Sequence, residues 1–165
     1  MIQENKIINE KNVDNILNLL TNEQIISFIS NDIVTILIEN KEKEKTNIID
    51  ENDPIYSNKI PKIKREDYIT LIFTFSKMEV STLILTYIYI KRFIKKENYI
   101  ISFRNIFRLI MFCAILAIKF NENKVYKNSF YAKVGGFNVD DLNNWEYNIF
   151  SRLDFNLRVL DRILW

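Results

Sequence analysis

The sequence contains no histidine, a single cysteine, two glycines and two prolines in 165 residues. Without histidine there is no imidazole general base, no Ser-His or Cys-His pair and no His ligand for zinc. The lone cysteine, Cys113, rules out a disulfide framework and a Cys-rich metal site, and it suits a reducing compartment. The two glycines are adjacent, Gly135 and Gly136, and do not form a phosphate-cradling loop. Acidic residues at 50–53 and at Asp140 and Asp141 lack the spacing of a calcium loop. This inventory argues against an enzyme and implies neither a cofactor nor a metal. Few turn-forming residues favour long helices with few sharp connections. Charge of one sign is also missing: the net charge is +2, with acids and bases interspersed, so nothing electrostatic points to nucleic acid or a membrane surface. The apolar stretches at 80–90 and 109–118 are cut by Lys77, Lys91, Arg108 and Lys119 before a membrane-spanning length of about 20 residues. The first residues lack the apolar core of a signal peptide, and a soluble intracellular protein is expected.

What is present is apolar surface. Hydrophobic residues make up 48% and aromatic residues 13% of the chain, enough for one domain with a normal core. Val13, Ile16, Leu17 and Leu20 repeat at helical spacing. Thr21 with Gln24 forms a candidate capping box before Ile25, Ile26, Phe28, Ile29 and Ile33. Two helices or one bent helix therefore run to about residue 39. The charge run ENKEKEKTN at 39–47 reads as a flexible loop. Residues 48–61 carry Pro54 and Pro61 without periodicity and read as a linker. From residue 62 the chain is densely apolar. Residues 68–75 and 80–94 fit both a strand and a helix. We read both as helices, the second with Ser81 as candidate cap.

Residues 103–120 are clearer. Ile106, Leu109, Ile110, Cys113, Leu116 and Ala117 cover one broad side, as in a central helix of a bundle. Arg104, Arg108, Phe112, Ile115 and Lys119 share one narrow stripe with charged ends and an apolar centre. That pattern suits a partner-binding surface. It equally suits Phe112 and Ile115 being covered by another part of the chain.

Residues 126–134 predict a short helix ended by Gly135 as a left-handed cap. Asn138 then caps a further helix with Asp140 and Asp141 in its first turn. Leu142, Trp145, Ile149 and Leu153 form its apolar face, and Glu146 falls among them. A carboxylate there needs a partner to offset desolvation. The partner is either a nearby Lys or Arg of this chain or a group on another protein.

The stretch NIFRLIMFCAILAIKF (105–120), followed by YKNSFYAKVGGFNVDDLNNWEYNIFSRLDFNLRV (126–159), resembles the P/U-type cyclins. Within it FYAKVGG (130–136) is the most specific run. YIYIKRF (87–93) is similar to a cyclin stretch usually written with Asp-Arg, and IPKIKREDYI (60–69) to the Pro-led start of the first cyclin-box helix. The resemblance implies an all-α fold: a single five-helix cyclin box at 62–165, with an N-terminal helical extension and charged loop at 1–47 and a linker at 48–61. It implies a non-catalytic subunit that binds and activates a cyclin-dependent protein kinase as a heterodimer. In the family a Lys ending the third box helix and a Glu on the fifth contact the kinase's movable regulatory helix. Lys119 and Glu146 match those positions, left unpaired until the partner docks, with Phe112, Ile115 and Arg108 expected beside them. A cyclin-fold interaction scaffold without kinase activation is the alternative. The nucleus, the cytoplasm or both are the expected location. The sequence departs from the family at Lys91, which stands where Asp is usual, at Phe107, which replaces a His, and at Ile118, which replaces a small residue.

Overall fold

The computed structural model describes residues 19–46 and 50–159. Among these residues there are six helices and no strand. They are α1 Asn22–Thr46, α2 Arg65–Ser76, α3 Val80–Glu97, α4 Ile106–Asn121, α5 Asn128–Gly135 and α6 Val139–Arg152. The periodicity of Val13, Ile16 and Leu17 lies outside the described residues.

Helix α1 starts where its capping box predicts. The Thr21 N–H donates to Gln24 Oε1 at 2.8 Å, and the Gln24 N–H donates to Thr21 Oγ1 at 3.2 Å. Ile25, Ile29, Ile33 and Leu37 recur along one buried face, the spacing that keeps side chains on one side of a helix. The charge run predicted as a loop is instead the last part of this helix. Glu and Lys are good helix formers, and Glu42 pairs with Lys45 one turn on at 2.8 Å. Buried Asn40 donates to the Ile101 carbonyl at 3.4 Å and ties this end of α1 to the segment before α4.

Helix α4 is the centre. From Ile106 to Ile118 every side chain except Arg108 is buried, as expected for a helix apolar almost all round. It packs on α3, α6 and α2, and α1 packs on α2. The buried residues of all these helices form one continuous core.

Two caps differ from expectation. Ser81 does not cap α3, which begins at Val80 after Glu79. The Glu122 carboxylate does that work from beyond α4, accepting the Glu79 N–H at 2.7 Å and the Thr82 hydroxyl. Gly135 is the last residue of α5, and Gly136 takes the left-handed position with φ +75°. Asn138 caps α6 as predicted, its Oδ1 accepting the Asp140 N–H at 2.8 Å. No helix among the described residues is long and apolar enough to cross a membrane.

Candidate functional site

Lys119 ends the buried run of α4, and Glu146 lies in the second turn of α6, the helix packed alongside. Their side chains meet. Lys119 Nζ donates to Glu146 Oε1 at 2.7 Å and to Oε2 at 2.8 Å. Asn128, the first residue of α5, donates its Nδ2 to Glu146 Oε2 at 2.8 Å and to Asn143 Oδ1 at 2.7 Å. The expectation of two unpaired charges is therefore corrected: each neutralises the other within the chain. The pair is not sealed, because 36% of the Lys119 side chain and 17% of the Glu146 side chain face solvent. An ammonium carries three donors, and Glu146 accepts two of them.

Phe112 and Ile115 are corrected as well. Both are fully buried. Phe112 is covered by Trp145, with ring centroids 5.4 Å apart, and by Phe137 at 6.0 Å. They belong to the core and present nothing to a partner. Arg108 turns inward too. Its guanidinium stacks 4.2 Å above the Trp145 ring and donates to the carbonyls of Pro54, at 2.9 Å, and Tyr56. Burial pulls its pKa below the usual guanidinium range, and Arg108 acts here as an anchor for the linker. Arg104 continues that anchor, donating to the Asn58 carbonyl at 3.0 Å.

The exposed aromatic residues that neighbour the ion pair in sequence are others. Phe120, next to Lys119, is 52% exposed, and Tyr147, next to Glu146, is 67% exposed. Tyr147 lies 5.9 Å from Phe155, and Phe155 lies 5.0 Å from Phe150. Asp154 and Phe155 have φ of 56° and 53°, a left-handed turn that is rare for a bulky residue. Lys96 holds that turn, pairing with Asp154 and donating to the Arg152 carbonyl, each at 2.7 Å. The sequence signal that was available is the position of aromatic residues directly beside the two matched charges.

A separate open groove of about 450 Å³ lies between α1 and the residues leading into α2. It is lined by Val34, Ile60, Lys62, Lys64, Arg65 and Phe103, among others, and includes neither Lys119 nor Glu146.

The family model for cyclins matches residues 12–157. The chain belongs to the cyclin family. Within it the similar proteins are of the P/U type. The chain is 37% identical to Cyclin-U2-1 of Arabidopsis thaliana over 101 residues, which are 61% of this chain and 46% of that cyclin. It is 34% identical to Cyclin-U4-3 of the same plant over 100 residues, covering 60% and 46%. It is 27% identical to Cyclin-P3-1 of Oryza sativa subsp. japonica over 116 residues, covering 70% and 49%. This cyclin thus spans about half the length of the curated relatives it matches.

Proposed function

We propose that this cyclin is the non-catalytic regulatory subunit of a cyclin-dependent protein kinase, which it binds across the face carrying Lys119 and Glu146. The observation that carries the reading is the placement of that pair. Two charges at the motif positions are held together at the surface, and the residues next to them, Phe120 and Tyr147, are exposed aromatics. A helix end is a fitting ligand. Its last carbonyls have no partner within their own helix, so the remaining Lys119 donor can satisfy one of them, while the Glu146 oxygens can accept from a free backbone N–H of the partner. Aromatic rings beside them supply the apolar area that concentrates binding energy.

Activation then follows from kinase chemistry. Phosphoryl transfer needs an ion pair between a strand Lys and a Glu on the movable helix. A cyclin that binds only the inward position of that helix shifts the population toward the active state. In this reading residues 62–165 are the kinase-binding box, 1–47 its extension and 48–61 the linker. The complex would work in the nucleus, the cytoplasm or both.

The test is co-purification of the tagged cyclin with a protein kinase and measurement of phosphorylation by the pair. Lys119→Ala/Glu146→Ala should weaken the complex by about 2 kcal/mol or more while the protein stays folded. Normal binding and activation by that double variant would remove the interface. Binding without any gain in phosphorylation would favour an interaction scaffold.

A further inference from the structure

The geometry points to Asn128 as a positioning residue that holds the Glu146 carboxylate in its partner-binding orientation. This rests on the kinase-binding reading above, and it adds a residue from a third helix to that site.

Both N–H donors of the Asn128 amide are committed to α6. One meets Asn143 Oδ1 at 2.7 Å and the other meets Glu146 Oε2 at 2.8 Å. Asn143 and Glu146 are one turn apart, so they face the same way from α6. Both are acceptors at these contacts, and a carboxylate has no hydrogen to offer. The amide therefore has one acceptable orientation, with nitrogen toward α6. Its oxygen is left buried with no donor among the described residues. A buried amide oxygen normally finds a partner. Here the group forgoes that bond, and what it holds in exchange is the carboxylate.

Lys119 alone would not fix the carboxylate in this way. Its ammonium sits on a flexible four-carbon stem, and more than a third of the side chain is exposed. The Asn128 side chain is short and starts from the first turn of α5. With Lys119 on both oxygens and Asn128 on one, Glu146 has a defined direction before any partner arrives. Preorganisation of this kind reduces the ordering cost of association. The loss of Asn128 should therefore appear mainly as faster dissociation.

Two measurements decide this. The first needs no kinase. In nuclear magnetic resonance spectra of the free cyclin, the Asn128 side-chain NH2 protons should be protected from exchange, and Glu146→Ala should reduce that protection, leaving only the bond to Asn143. Unprotected protons in the wild-type chain would overturn the proposal whether or not a kinase binds. The second is a double-mutant cycle on kinase binding, with thermal melts confirming that each variant is folded. Asn128→Ala should weaken binding roughly fivefold, and Asn128→Asp should weaken it further by placing a second carboxylate against Glu146. In a Glu146→Ala background, Asn128→Ala should change binding by less than about twofold, because its effect passes through the missing carboxylate. An unchanged fivefold loss in that background would mean that Asn128 acts independently of Glu146. A wild-type cyclin that bound no kinase would refute the proposed function and leave the exchange measurement to decide the role of Asn128.

Discussion

Lys91 of α3 and Asp32 of α1 meet at 2.9 Å, and Tyr87 donates its hydroxyl to the same carboxylate oxygen at 2.8 Å. The residue that departs from the family pattern thus pairs with the N-terminal helix. Arg92, its neighbour, donates to the carbonyls of Asn156 and Arg158 at 2.8 and 2.9 Å. The two contacts on Asp32 are unequal. Lys91 is 44% exposed on its side chain, so Lys91→Ala should cost only a few tenths of a kcal/mol. Asp32→Ala also strands the Tyr87 hydroxyl and should cost about 1–2 kcal/mol. Urea unfolding of the two variants checks the order, and equal losses would contradict it.

Phe112 and Phe120 stand eight positions apart on α4 and should behave in opposite ways. Phe112→Ala empties a site with no exposure and should destabilise the protein by about 3–5 kcal/mol. Phe120→Ala removes a ring that is half exposed; it should leave the melting temperature nearly unchanged and weaken kinase binding. Calorimetry and binding measured on the same two samples separate core from surface.

The paired glycines predict two different failures. A Cβ on Gly135 would lie 2.5 and 2.7 Å from ring atoms of Phe137 and 3.3 Å from Met111. Phe137 is itself packed on Phe112 and Trp145, so Gly135→Ala should cost about 1–3 kcal/mol through overpacking. Gly136 has open space but a φ of +75°, so Gly136→Ala should cost about 1–2 kcal/mol through backbone strain. Asn at 136, which tolerates the left-handed region, should recover part of the loss. Asn at 135 should not. Denaturant midpoints of the four variants give the comparison.

Stability should fall in alkali. Burial raises the phenol of Tyr89 to about 12, with the nearby Arg92 opposing it less strongly. Burial also raises Tyr68, Tyr87, Tyr99 and Tyr131 above the usual tyrosine value of 10.0. Unfolded tyrosines release their protons from about pH 10, while the folded ones keep theirs. The unfolded state then binds fewer protons, and the free energy of unfolding decreases with rising pH. The stabilisation is complete below about pH 10 and is lost progressively above it. Melting temperatures measured across that range, together with ultraviolet titration of the phenols, provide the check. A melting temperature that stayed level while free tyrosine ionised would contradict this account.

Much of the box was legible because its signals are local. The Thr21–Gln24 capping box, the Asn138 cap and the apolar run of α4 each work within a few residues, and each is present. What was not legible depends on neighbours distant in sequence. The stripe containing Phe112 and Ile115 reads equally as a partner surface and as a covered face until Phe137 and Trp145 are placed over Phe112. Helix α3 takes its N-terminal acceptor from Glu122, 43 positions away, so the local reading fell on Ser81. The charge run after residue 39 has no apolar period, and helix propensity carries α1 through it to Thr46. At the site itself, the two charged residues were found from spacing and resemblance. A Lys or Arg of this chain stood open as the partner of Glu146, but that it is Lys119 was not legible, because an ion pair between adjacent helices has no signature along the chain.

The stretch before α2 was read from its prolines as a connector, yet three arginines grip it. Arg104 and Arg108 of the α4 region hold carbonyls of Pro54, Tyr56 and Asn58, and Arg152 of α6 pairs with Asp53 at 3.0 Å. Ile55, between these anchors, is fully buried. The stretch therefore behaves as a wall of the box. A protease site or peptide tag inserted between Pro54 and Ile55 would break the fold where a true tether would absorb it.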